Sequence, residues 1–253
     1  MRRTTVAAGG LVVLALLAGC GLGSSNISEE KLNENATYDW ETGADVSFDL
    51  SRSSYAAVVS VNNSTSLSVY ERDALGTESP VQLSKLRFRY PNGTIVSAEE
   101  ANLTATLASK RTNVGLPAER GQVAYTASRN GKQFSTPVFV AGTYEITLPA
   151  GTRIGIPLLS QAGPGGYETT VEDNRMTVRW AELSSGTAQV RYYLQRDLLL
   201  FGGLIGLVVM IGAGGALYYL RQIRRLENQR EELGLDVDYE DDPGDRGPPP
   251  GMR

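Results

Sequence analysis

A run of 23 consecutive residues without a charged side chain, residues 198–220, constrains the fold of this chain more than any other feature. As an α-helix the run would be about 34 Å long, which is enough to cross a hydrocarbon core of about 30 Å. Tyr218 and Tyr219 stand at its end, and tyrosine favours the boundary between lipid and water. The run therefore predicts a transmembrane helix over residues 197–220.

Basic residues follow the run at once and predict its orientation. Arg221, Arg224 and Arg225 lie directly behind it, and loops rich in lysine and arginine are retained on the cytoplasmic side of a membrane. We therefore expect residues 21–197 outside the cell and residues 221–253 in the cytoplasm.

The chain behind the membrane run has two parts. Residues 221–234 keep a thin apolar stripe and are predicted to form a juxtamembrane extension of the helix. Residues 235–253 are acidic and rich in proline and glycine, a composition typical of a disordered tail.

The N-terminus has the layout of a lipoprotein-type signal peptide over residues 1–19. Arg2 and Arg3 precede an apolar stretch of about a dozen residues, which is too short to span a bilayer. Small residues then lead to Cys20, the single cysteine, which is the predicted lipidation site. One alternative is an uncleaved anchor with a chance cysteine, and the paired arginines leave twin-arginine export open beside the general route.

Small residues share one face of the predicted membrane helix. Gly202 and Gly206 have the Gly-x-x-x-Gly spacing that lets two membrane helices approach closely, and Ala213 and Ala216 continue the face. This face predicts a homodimer or pairing with a partner membrane protein, beside the contact with membrane lipid. The alternative is that glycine is simply common in membrane helices.

The region between the two ends has a hydrophobic period of two, which is the period of β-strands. Residues 20–43 are polar and are predicted to be a lipidated tether. In residues 44–196 apolar and polar residues alternate in several segments, namely 46–50, 67–70, 86–90, 144–148 and 176–180. The predicted fold is all-β: an antiparallel β-sandwich ectodomain of eight to ten strands plus one C-terminal transmembrane α-helix.

Three local expectations refine this sandwich. Asn130-Gly131 predicts a hairpin between strands at 123–126 and 134–140, because this dipeptide favours a type I′ turn. Residues 99–108 form the one stretch that would suit a short helix. Arg87, Arg89 and Tyr90 are interpreted as a solvated strand face. Two smaller β-units divided near Gly142 are the alternative to one sandwich.

Six asparagines begin an Asn-x-Ser/Thr triplet, which is the acceptor pattern for N-glycosylation. Chance predicts about two such triplets in a region of this composition. The predicted glycosylation sites are Asn26, Asn35, Asn62, Asn63, Asn92 and Asn102. The alternative is a Ser/Thr-rich β-protein with incidental triplets.

The composition argues against several kinds of catalysis, metal binding and nucleic-acid binding. The chain has no histidine and one cysteine, which excludes Ser-His-Asp and Cys-His catalysis and histidine-bound metals. Its net charge of −4 gives no basic field for nucleic acid. We expect no catalytic residues, metal or cofactor, and interpret the chain as a non-enzymatic cell-envelope protein that binds or supports envelope partners. A transmembrane sensor that relays external binding to the acidic tail is the alternative, and a surface hydrolase is a third.

Four segments resemble a haloarchaeal membrane-anchored lipoprotein family of unknown function. They are LAGC at 17–20, GTYEITLPAGTRIGIPLLSQ at 142–161, TVRWAEL at 177–183 and VRYYLQRDLLLFGGLIG at 190–206. The resemblance covers most of the chain and implies an archaeal surface protein in high salt, without a known activity, ligand or catalytic residue. The acid excess and the preference for arginine over lysine fit that setting.

Overall fold

The computed structural model describes residues 25–73 and 75–232. The chain divides into two compact units, the first ending at Arg196 and the second beginning at Asp197. Helix α1 is Glu29–Asn33 and helix α2 is Gln195–Glu232. Among the described residues the strands, β1 to β18 in chain order, are Ser25–Asn26, Val46–Leu50, Ser54–Asn62, Ser66–Arg72, Glu78–Pro80, Leu83–Arg89, Ile95–Ser97, Thr104–Leu107, Thr112–Gly115, Arg120–Ser128, Gln133–Pro137, Gly142–Thr147, Thr152–Arg153, Gln161–Gly163, Tyr167–Glu172, Arg175–Leu183, Thr187–Arg191 and Tyr193–Leu194.

The strands form several sheets, which confirms the predicted all-β class. An eight-stranded sheet has the order β15-β16-β12-β2-β3-β10-β6-β7, and a five-stranded sheet has the order β1-β8-β9-β4-β5. A three-stranded sheet, β11-β17-β14, and the pair β13-β18 complete the domain. All strand pairs in the described residues are antiparallel except β2 with β12, which run parallel with Val46 opposite Tyr144.

The sheets share one hydrophobic core, as the alternation of apolar residues predicts. Phe48 of β2 lies in the eight-stranded sheet, and its ring centroid is 5.1 Å from that of Phe134 in the three-stranded sheet. Val114 of β9 brings the five-stranded sheet into the same buried cluster. Trp180 and Tyr144 are among the largest side chains buried there. The domain is therefore a sandwich in which two smaller sheets cover the inner face of the large one.

The segment predicted to be a polar tether instead packs on the domain from Ser25 onward. Strand β1 adds to the five-stranded sheet, and Ile27 and Leu32 enter the main core. Tyr38 covers Val58 on the other face of the eight-stranded sheet, which explains why strand β3 is apolar on both faces. The prediction failed because these apolar residues are sparse and follow no period.

Arg87 of β6 holds this segment in place and is not part of a solvated face. Its guanidinium donates to the backbone oxygens of Leu32, Asn33 and Glu34 at 3.2, 3.1 and 2.8 Å. These carbonyls lie at the end of α1, where a helix leaves backbone oxygens without partners of its own. Arg87 therefore caps the helix from a neighbouring strand.

Aspartate and asparagine form turns at the two places described next, and two of the local predictions are wrong. Asp173 and Asn174 have φ of 46° and 61° and close the β15–β16 hairpin as a two-residue turn. Asn92 lies in a turn between β6 and β7. However, the predicted hairpin across Asn130-Gly131 is wrong, because β10 pairs with β3 and β6 whereas β11 pairs with β17. The predicted short helix at 99–108 is also wrong, since this stretch is a turn followed by β8.

The alternative of two β-units divided near Gly142 is wrong as well. Strand β12 begins at Gly142 and lies inside the eight-stranded sheet between β16 and β2. Gly142 has φ of +150°, and a Cβ there would lie 2.5 Å from Oδ2 of Asp45. The same carboxylate accepts a hydrogen bond from the Thr143 nitrogen at 2.8 Å. Pairing of β12 with β2 joins the two halves of the chain into one unit, and Gly142 leaves room for the Asp45 side chain beside it.

Candidate functional site

Helix α2 is long and apolar enough to cross a membrane. It begins at Gln195, directly after β18, and it stays exposed along its apolar stretch. Soluble proteins rarely expose so large an apolar surface, because contact with water is unfavourable. The helix continues without a break through the three arginines at 221, 224 and 225 to Glu232. Residues 233–253, which include the predicted tail, lie outside the described residues.

The predicted helix-packing residues share one open face of α2. At 100° per residue, Gly202, Gly206, Ala213 and Ala216 lie within an arc of about 80°. All four are exposed, and a Cβ added at Gly202 or Gly206 would meet nothing within 4 Å among the described residues. This face has room for the backbone of a second helix.

The predicted modification sites fall partly outside the described residues. Cys20 lies there, and of Asn26 only the backbone, in β1, is described. The other five asparagines are exposed, namely Asn35, Asn62, Asn63, Asn92 and Asn102. Asn92 uses its Oδ1 to accept a hydrogen bond from the Thr94 nitrogen at 3.0 Å. All five positions are open to solvent, as attachment of a glycan requires.

One cleft of about 710 Å³ lies on the outer face of the eight-stranded sheet. Three of its polar side chains form contacts within the domain: Arg175 donates to both carboxylate oxygens of Asp49, and the Tyr38 hydroxyl donates to the Lys85 backbone oxygen at 2.7 Å. Burial raises the pKa of Tyr38 to about 12. Proton transfer near neutral pH needs a group with a pKa close to 7, and this tyrosine is far from that range. The cleft is a polar depression held by ion pairs.

A second cleft, of about 520 Å³, has four serines along its wall and a cation at its edge. The cation is Arg111, whose guanidinium lies 4.3 Å from the centroid of the Tyr70 ring. Arg72 and Arg111 both bind Glu78, and these hydrogen bonds, Arg72's first, lower the pKa of the Glu78 carboxyl. The cluster ties β4, β5 and β9 together. Sequence reasoning missed it, since Arg111 is 33 positions from Glu78 and the members form no motif.

Arg129 is a further polar group that the sequence did not reveal. Its side chain is buried and donates to the backbone oxygens of Ser51, Gly131 and Gln133 and to the Tyr192 hydroxyl. Its Nε is buried without a hydrogen-bond partner among the described residues. The only sequence signal was its place beside the Asn130-Gly131 turn, where Arg129 donates hydrogen bonds to the backbone oxygens of Gly131 and Gln133.

The acidic side chains can be tested as a possible metal site. Among residues 25–73 and 75–232 no group of three or more Asp, Glu, Cys or His side chains is placed to hold a metal ion. Glu100 accepts hydrogen bonds from the nitrogen and the hydroxyl of Ser97, which lower the pKa of its carboxyl. Each acid described above is engaged in a turn or an ion pair, which is a structural use.

Comparison with known families matches residues 42–238 to a family described as a family of unknown function, DUF5803. No curated protein matches the chain. The matched region runs from the start of the eight-stranded sheet to beyond α2, so it includes both the β-domain and the apolar helix.

Proposed function

The chain belongs to the DUF5803 family of unknown function, and we propose that it is a non-enzymatic envelope protein that holds a β-domain at the outer surface of a membrane. One observation carries this proposal: β18 ends at Leu194 and α2 begins at the next residue. The membrane helix therefore follows the last strand of the sandwich directly in the chain. A protein built in this way keeps its domain at the bilayer, where it can bind or support other envelope components.

The charge pattern supports an outside position for the domain. Arg221, Arg224 and Arg225 are exposed on α2 directly behind the apolar stretch, which favours a cytoplasmic position for that end of the helix. The signal-like N-terminus gives the same orientation independently. In this topology the exposed asparagines of the triplets face the compartment in which glycans are attached.

A lipid on Cys20 would form a second anchor. A single acyl chain gives only marginal attachment, whereas a spanning helix is effectively permanent, so the lipid is not needed for retention. Strand β1 begins at Ser25, five residues after Cys20, and five extended residues reach at most about 18 Å. We propose that the lipid limits the tilt of the domain on a haloarchaeal cell surface. The acid excess and the low lysine content support the high-salt setting.

Labelling with a membrane-impermeant maleimide on intact cells tests the orientation. In a Cys20→Ser background, Leu75→Cys places a thiol on the β-domain and Glu227→Cys places one on the far end of α2; both positions are exposed. We expect the thiol at 75 to react on intact cells and the thiol at 227 to react only after the cells are opened. The reverse pattern would overturn the proposed topology, and release of the Cys20→Ser protein into the soluble fraction would overturn the membrane helix.

A transmembrane sensor is the second candidate, and the unbroken helix favours it. Helix α2 has 38 residues, or about 57 Å, and residues 221–232 extend about 18 Å behind the apolar run. A continuous helix can transmit rotation or association of the outer domain to the inner end. The two functions differ in whether the cytoplasmic end has a role of its own.

A further inference from the structure

The point at which the chain leaves the β-domain is fixed by short-range contacts. Strand β18 pairs with β13, so that Thr152 lies opposite Leu194 and Arg153 opposite Tyr193. The Gln195 nitrogen donates a hydrogen bond to the Gly151 oxygen at 3.0 Å. Strand β13 therefore lies beside the last residues before the apolar run, which begins only three residues after Gln195.

The turn that follows β13 is rigid. The Ser160 hydroxyl accepts a hydrogen bond from the Gly155 nitrogen and donates one to the Ile156 oxygen, both at 2.9 Å. The nitrogens of Leu159 and Ser160 donate to the same Ile156 oxygen at 2.9 and 2.8 Å. Ser160 is buried, and strand β14 then begins with Gln161 opposite Arg191. The turn is thus clamped at both ends against the last two strands of the domain.

This rigid turn directs apolar side chains into solvent. Leu158 is 90% exposed, Leu159 is 44% exposed, and Pro157 beside them is exposed as well. No charged residue occurs from 154 to 167, although turns at a protein surface normally use polar side chains. A mobile loop could fold its leucines inward, but the hydrogen bonds around Ser160 hold them out. In water this arrangement is unfavourable.

We propose that the turn at 156–159 inserts Leu158 and Leu159 into the lipid interface of the membrane that α2 crosses. The proposal rests on the membrane-spanning role of α2. Lipid is the occupant that the connectivity favours, because the three residues from Gln195 to Asp197 span at most about 11 Å between the domain and the apolar run. Arg191 in β17 is exposed, and Tyr193 is in β18; these strands pair with β14 and β13 on either side of the turn. Arginine and tyrosine side chains favour the headgroup region of a membrane.

The contact would give the domain a third attachment to the bilayer. Helix α2 attaches the domain to the membrane at one point, and a lipid on Cys20 would attach it at a second point through a chain of several residues. Two leucines on a rigid turn instead fix one side of the domain to the interface, because apolar side chains partition from water into lipid. The β-domain would then have one preferred orientation on the membrane.

Fluorescence quenching in vesicles tests this contact with a matched control. Leu158→Cys and Leu75→Cys, each in the full chain with Cys20→Ser, place one thiol at two leucines of equal exposure, 90% and 92%. Leu75 lies in the turn between β4 and β5, in a different sheet. Each thiol receives an environment-sensitive dye, and the protein is reconstituted into phosphatidylglycerol vesicles that contain a lipid with a nitroxide near the headgroup.

We expect the nitroxide lipid to quench the dye at 158 at least twofold more than the dye at 75, with blue-shifted emission only at 158. Equal quenching at the two positions would overturn the proposal. The proposal would also be overturned if the dye at 158 were shielded from aqueous iodide but not quenched by the nitroxide lipid. That result would mean that a second copy of the chain covers the turn. Flotation separates this failure from failure of the membrane helix, because without that helix the protein would not float with the vesicles.

Discussion

Replacement of Arg87 by methionine tests whether the N-terminal segment is held on the domain or hangs free. Methionine keeps much of the aliphatic stem of arginine but cannot donate to the oxygens of Leu32, Asn33 and Glu34. The first two of these hydrogen bonds are partly buried, and the third is exposed. A hydrogen bond contributes about 1 kcal/mol to stability, and somewhat more when the donor is charged. We therefore expect residues 25–34 to lose about 2 kcal/mol of local stability.

Hydrogen exchange measured by mass spectrometry reports this loss directly. The amides of Leu32 and Glu34 are protected by the Ser28 and Glu30 oxygens, so they exchange only when helix α1 opens. A loss of about 2 kcal/mol raises the open population, and with it the exchange rate, about 30-fold. Peptides from the centre of the large sheet should keep their exchange rates, because they open only with the whole domain.

Arg89→Met is the matched control for this experiment. Arg89 lies on the same face of β6, two residues further along, and it forms an ion pair with Glu41, which is 82% exposed. An exposed ion pair of this kind contributes at most about 1 kcal/mol. Equal exchange of residues 25–34 in the two variants would show that Arg87 is not the cap of α1, and that the packing of Ile27 and Leu32 alone holds the segment.

Three further changes test the membrane helix, the C-terminal residues and the charge of the domain. Gly206→Leu should weaken self-association in membranes at least several-fold, measured by crosslinking, whereas Gly215→Leu on the opposite face should not, and equal loss in the two variants would refute the packing face. Deletion of residues 234–253 tests the sensor, because a phenotype caused by this deletion would favour the sensor over a protein that only holds its β-domain at the surface. Desolvation raises the pKa of the Glu71 carboxyl, so the charged carboxylate disfavours folding at neutral pH. The neutral carboxyl favours the folded state, and this stability is lost as the pH rises through the pKa of Glu71 in the folded protein. Glu71→Gln should therefore raise the melting temperature at pH 7 and have little effect below the ordinary pKa of 4.5; a gain that persists at low pH would refute this cause.

Alternation along the chain was enough to predict the central strands and the class of the fold. The segments 46–50, 86–90 and 144–148 overlap β2, β6 and β12, because a period of two shows which residues of a strand face the core. The membrane-type helix was visible for a different reason, since 23 uncharged residues have few other stable environments.

The pairing of the strands could not be predicted from the sequence, because periodicity shows which face of a strand is buried and does not show which strand lies beside it. Asn130-Gly131 does mark a turn, with Gly131 at φ of 78°, but the chain there passes from one sheet to another. The parallel pairing of β2 with β12 had no local signal at all. The positions of Arg87 and Arg129 were equally hidden, since most of their acceptors are backbone oxygens, which every residue carries.

The parallel neighbour of β2 has a consequence for biogenesis. When the chain emerges N-terminus first, β2 can pair with β3 early, but Tyr144 lies about 100 residues after Val46 and emerges much later. Until then the edge of β2 that later pairs with β12 is unpaired, and unpaired strand edges in a partly folded chain promote aggregation. Pairing over such a distance is slow because a long loop must close first. We expect folding of the β-domain to depend on how quickly its last third emerges after the first strands.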